Sequence, residues 1–111
     1  MMDYDKLYAI LRGIAITQGS PIRYGDLSNQ YAQATGDYID PHLGWSEPLL
    51  EVLKWCRKNK LPPLSALVVN EDGMPGSGFW GQEGLPPKPS LTDWVTMCRN
   101  IYVANWPATM N

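Results

Sequence analysis

The chain reads as a mainly helical α+β domain in the outline of a winged helix-turn-helix: a winged-helix-like three-helix core with a small β element and a C-terminal helix. Three observations predict it. Apolar residues recur at helical spacing in four stretches. A single aliphatic run, Ser65 to Val69, has the length and composition of a buried strand between two breaker clusters, Pro62-Pro63 and Asn70-Glu71-Asp72-Gly73. The chain has 111 residues, 44 % of them apolar, which suits one domain with a modest core and argues against disorder.

The elements follow in order. Asp3 can cap a helix starting at Tyr4, on which Leu7, Leu11 and Ile14 share a face with Ile10 beside them. Gln18-Gly19-Ser20-Pro21 ends it, and Ile22-Arg23 is a short extended link. A second helix opens at Tyr24-Gly25-Asp26. Leu27, Tyr31 and Ala34 line one face, and Gly36 is its left-handed stop. Asp37 to Trp45 is a loop with turn chemistry at Asp40-Pro41 and Gly44. Ser46-Glu47-Pro48 starts a third helix, with Ser46 as the expected cap and Pro48 tolerated in the first turn. Leu49, Leu50, Leu53 and Cys56 carry its repeat. Pro62 and Pro63 end it, since proline lacks an N–H and disfavours helix in the residue before it. After the expected strand, Pro75-Gly76-Ser77-Gly78 shapes a loop that sets Phe79 and Trp80 beside glycines. Leu85 to Pro89 reads as an extended connector. A last helix starts at Ser90 or Thr92, runs through Cys98 to Asn105, and is stopped by Pro107, leaving a frayed tail from Ala108.

The formal charge is −2, which weighs against a protein that coats nucleic acid by charge alone. The distribution is uneven, however. Lys54, Arg57, Lys58 and Lys60 fall within seven positions and form a candidate basic patch. Cys56 and Cys98 sit at apolar helical positions and read as reduced, buried thiols. The N-terminus, MMDYDK, lacks the apolar core of a secretory signal, and no segment is long and apolar enough to span a bilayer. A cytoplasmic protein is expected.

Two stretches, IRYGDLSNQYAQATG (22–36) and SEPLLEVLKWCRKNKLPPLSALVVNEDG (46–73), together resemble the helix-turn-helix half of alkyltransferase-like and O6-alkylguanine-DNA alkyltransferase proteins. The resemblance covers about half the chain. It places Ser65 where that family carries its alkyl-accepting cysteine, so the Cys-His-Arg chemistry is missing. Ser46-Glu47 stands where the family has an arginine. The wider pattern YGDLS, LPPLSALVVN, GMPGSGFWG is similar to that of a small bacterial and phage-associated domain found beside nuclease-type modules, which implies a mobile-DNA or genome-defence setting.

No reaction is spelled out by the residues. His42 is the one histidine; Asp37 and Asp40 are near it in sequence, but no nucleophile motif accompanies them. One histidine and two separated cysteines make no zinc spacing, and the glycine-rich loop lacks the Gly-Lys-Ser/Thr of a phosphate loop. No cofactor or metal is expected, and no enzymatic activity. The leading expectation is a DNA-binding module. Lys54, Arg57, Lys58 and Lys60 would meet the phosphates of double-stranded DNA, and Tyr24 would contact one at a helix N-terminus. The alternative is a protein-binding inhibitor, an immunity or counter-defence protein that blocks a toxin or nuclease through Trp45, Phe79 and Trp80. The sequence leaves two states open for Phe79 and Trp80: buried, as a structural lid, or exposed, as an aromatic platform.

Overall fold

A computed structural model describes residues 1–82 and 84–110. Four helices carry the chain: α1 (Tyr4–Thr17), α2 (Tyr24–Thr35), α3 (Ser46–Lys58) and α4 (Leu91–Val103). Two short strands, β1 (Ile22–Arg23) and β2 (Val68–Val69), complete a mainly helical α+β fold. They pair in parallel, Ile22 with Val68 and Arg23 with Val69. α1 is the hub and packs against α2, α3 and α4.

α1 begins as its sequence dictates, with Asp3 accepting the Lys6 N–H at 3.1 Å. Its buried stripe is Leu7, Tyr8, Leu11 and Ala15, and Ile10 and Ile14 flank it. α2 ends on Gly36, whose φ of 84° is the left-handed conformation that glycine adopts without strain. Its buried face is centred on Leu27, Ser28 and Tyr31, and Ala34 is exposed. The face is turned toward Ser28 because that hydroxyl accepts the indole N–H of Trp45 at 2.8 Å in the core.

Three expectations are corrected. Ser46 does not cap α3: the cap position is Trp45, which makes no side-chain cap bond, and Ser46 is the first helical residue. Only Val68 and Val69 of the expected strand are extended. Leu64–Leu67 form a 3₁₀ turn, closed by the Ala66 N–H on the Pro63 carbonyl at 3.0 Å. All four residues of that turn are buried. A strand would send alternate side chains to opposite faces, whereas the turn fits a segment enclosed by α1, α3 and α4. The tail does not fray as a free end: Trp55 donates its indole N–H to the Met110 carbonyl at 2.7 Å, and Tyr8 donates to the Pro107 carbonyl at 2.6 Å.

Among the described residues, no helix is long and apolar enough to cross a membrane. No antiparallel hairpin occurs among them either. The stretch from Asn70 to Gln82 is a chain of turns, opened by Gly73 donating to Asn70 O at 3.0 Å and Asn70 donating to Met74 O at 2.8 Å.

Candidate functional site

The β1–β2 pairing brings two distant parts of the chain together. It sets the start of α2 beside the end of the 3₁₀ turn. The start of α3 and the loop 76–82 close around them and leave a cleft of about 560 Å³. This volume lies within the range of small-ligand pockets. Its wall includes Arg23, Tyr24, His42, Ser65, Asn70 and Phe79.

Ser65 is the unusual member. It is 5 % exposed, and its Oγ has no hydrogen-bond partner among the described residues. A hydroxyl without a partner in a protein interior costs free energy, and native structures hold few of them. The 3₁₀ turn places Ser65 in the wall of the cleft, with its Oγ enclosed, while Leu64, Ala66 and Leu67 fill the core.

Tyr24 stands across the β pairing. Its hydroxyl accepts the Gly76 N–H at 3.3 Å, so the phenolic proton is left to donate. Burial pushes the Tyr24 pKa up, partly offset by that N–H, and the phenol stays protonated at neutral pH. A Cβ at Gly76 would lie 3.1 Å from the Tyr24 hydroxyl, so a larger residue there would push the phenol aside by a few tenths of an ångström. The first turns of α2 and α3 also border the cleft, and neither is closed by a side-chain cap. α1 and α4, by contrast, carry conventional Asp3 and Ser90 caps. The cleft thus offers hydroxyls, the Asn70 and Gln82 amides and backbone donors, with Arg23 against Asp26 and Glu71 as its charges. That mixture suits an uncharged ligand with hydrogen-bonding edges better than a phosphate cluster.

Comparison with protein-family models, curated proteins and solved structures finds no match to this chain. The site therefore rests on its own geometry.

Of the residues weighed from sequence, Tyr24, His42, Trp45 and Phe79 line the cleft, and Trp80 does not. Lys54, Arg57, Lys58 and Lys60 are exposed but do not line it. Lys54 and Lys58 border a shallow groove with Tyr4, Trp55 and Met110, and Lys54 pairs with Glu51 at 3.5 Å. The Arg57 guanidinium lies against the Gly84 backbone, where a Cβ would come within 2.6 Å of it. Trp45, Phe79 and Trp80 are buried, at 1 %, 6 % and 7 % exposure, so the exposed aromatic platform is not presented. Trp45 packs edge-on to Tyr31, and Phe79 packs edge-on to Trp80. The loop 76–82 is the structural lid of the two states left open by the sequence.

Sequence reasoning missed Arg23, Ser65 and Asn70 as site residues. The available signal was Ser65 itself, one hydroxyl inside the apolar run Leu64 to Val69. His42 and Ser65 share the cleft, but the bonds of a catalytic triad are not formed. Ser65 Oγ has no partner, and Asp40 spends one carboxylate oxygen on the His42 and Leu43 backbone N–H groups, at 2.7 and 3.2 Å.

Proposed function

We propose that this chain is a non-enzymatic DNA-binding module that receives one unstacked base in the cleft between α2, α3 and the loop 76–82. The observation that carries the reading is the buried Ser65 hydroxyl, left without a partner in the wall of a cleft of about 560 Å³. A base edge supplies the missing hydrogen bond, and a base taken out of the stack fits a pocket of this kind. Tyr24, Asn70 and the open first turns of α2 and α3 give further donors around it. The resemblance noted above supports the same placement. If that resemblance holds, Ser65 takes the place of the cysteine that meets an alkylated base, and a serine without an activating partner would leave binding without transfer.

In this reading the chain is winged-helix-like. α2 and α3 are the helix pair that meets the duplex, and the loop 72–80 takes the place of a wing. Arg23 and the exposed Lys54, Arg57 and Lys58 contribute salt-dependent phosphate contacts. The inhibitor reading would need anchors other than Trp45, Phe79 and Trp80, which are buried.

The test is binding of the purified protein to three fluorescent DNAs at low and moderate salt: a matched duplex, the same duplex with one mismatch, and the single strand. The mismatch is expected to bind tighter than the matched duplex, because an unpaired base costs less to extract. Ser65→Ala is expected to remove most of that preference while leaving the salt dependence intact. Absence of binding to all three at low salt overturns the proposal.

A further inference from the structure

The parallel β pairing sets two hydrogen-bonding side chains next to each other in the cleft. Arg23 is paired with Val69, so the residues that follow them, Tyr24 and Asn70, leave the pairing side by side, and both line the cleft. The Asn70 backbone is held at both of its polar groups. Its N–H donates to the Met74 carbonyl at 2.8 Å, and its carbonyl accepts the Gly73 N–H at 3.0 Å. Its side-chain amide is exposed and bonds to no other described residue, which leaves a donor and an acceptor for a ligand.

Gly76 makes the space between the two side chains. The point where its Cβ would stand lies 3.1 Å from Tyr24 Oη, 3.4 Å from Asn70 Nδ2 and 3.7 Å from Asn70 Oδ1. Tyr24 Oη already accepts the Gly76 N–H, so toward a ligand it acts through its proton. Around one unfilled point the cleft therefore presents two donors and one acceptor. An edge that satisfies all three carries two acceptors and one donor.

The pairing edges of the bases differ in this respect. Cytosine offers O2, N3 and the N4 amino group, two acceptors and a donor. Thymine offers O2, O4 and N3–H, again two acceptors and a donor. Guanine offers the reverse, O6 against N1–H and the N2 amino group, and adenine offers N1 and its amino group alone. Turning the Asn70 amide over exchanges the fit between cytosine and thymine and admits neither purine. We propose that the cleft is a pyrimidine site, in which Asn70 and Tyr24 read the pairing edge of the base. The inference rests on the base-binding reading above and adds the class of base to it.

The experiment uses one duplex sequence in four forms, with A, C, G or T opposite an abasic site, so that each test base begins unpaired. Wild type is expected to bind the C and T forms roughly tenfold tighter than the A and G forms. Asn70→Asp leaves one donor and two acceptors, the complement of guanine, and is expected to bind the G form tightest. Its added negative charge weakens all four forms alike and cancels in the ranking. Asn70 is exposed, so this variant is expected to keep the wild-type melting temperature. Ser65→Ala is expected to weaken binding to all four forms. Equal binding of the four forms by wild type, or a purine preference, overturns the pyrimidine site, and a loss in Ser65→Ala then leaves the base cleft standing. A pyrimidine preference that persists unchanged in Asn70→Asp reflects only the easier unstacking of the smaller ring, and also overturns it. Failure of wild type to bind any form overturns both readings.

Discussion

At the scale of single residues, two buried serines make opposite predictions. Ser28 is fully buried and accepts the Trp45 indole N–H at 2.8 Å. Ser28→Ala leaves that N–H buried without an acceptor and is expected to destabilise the fold by about 1–3 kcal/mol, read from a denaturant midpoint. Ser65 is nearly as buried and bonds to nothing among the described residues. Ser65→Ala removes an unsatisfied hydroxyl, and is expected to stabilise the fold by about 1 kcal/mol, or roughly 4 °C in Tm. Most buried truncations destabilise, so a gain at Ser65 singles out a group kept for a ligand rather than for the fold. A loss there would mean that Oγ is satisfied by water, and the argument for the cleft would lose its main support. The difference between the two serines was not legible in the sequence. Both are single hydroxyls in helical or apolar surroundings, and only the tertiary arrangement gives one a partner and denies it to the other.

At the scale of elements, legibility followed how local the deciding physics is. The start of α1 at Asp3 and the end of α2 at Gly36 are settled by one side chain and one backbone angle, and both could be read directly. The 3₁₀ turn could not. Leu64 to Val69 has strand composition, and its conformation is set by enclosure among three helices, which is non-local information. The end of α3 shows a local preference being overridden. Lys60 takes φ 57°, and the Leu61 N–H reaches back to the Cys56 carbonyl at 2.8 Å, the bond that closes a Schellman turn. The position after the cap in such a turn favours glycine, and a lysine there pays a left-handed penalty of about 1 kcal/mol. Lys60→Gly is therefore expected to raise stability by about 0.5–1 kcal/mol. The same variant removes one charge from the basic patch. If Lys60 meets phosphate, the slope of log affinity against log salt falls by about one while the protein becomes more stable. An unchanged slope would take Lys60 out of the interface.

At the scale of the whole molecule, aromatic side chains tie the loops to the helices. All five indole N–H groups are bonded within the chain: to Ser28 Oγ, and to the carbonyls of Met110, Pro75, Ala66 and Ile101. Tyr102 donates to the Gly19 carbonyl at 2.7 Å in the same manner. The sequence showed the aromatic content but not these partners, which lie up to 99 positions away, as in the bond from Tyr8 to Pro107. A core held this way encloses its thiols. Cys56 and Cys98 are free and buried, and burial pushes each thiol up from 9.0 to about 11, with the Leu64 N–H partly offsetting the rise at Cys56. A raised pKa in the folded state means that the folded chain holds its proton longer than the unfolded chain does. The resulting stability is fully present below pH 9 and is lost as pH rises toward 11, at up to about 1.4 kcal/mol per pH unit for each thiol. Burial raises Tyr8, Tyr24 and Tyr102 as well, so the decline continues above pH 10. Denaturant midpoints at pH 7, 9 and 10 are expected to be similar for the first two and clearly lower for the third. Cys56→Ala/Cys98→Ala is expected to flatten the fall between pH 9 and 10, leaving the tyrosine-driven fall above it. A double variant that falls as steeply as wild type would show that the thiols titrate alike in both states. They would then be open to solvent, and the closed core described here would be wrong.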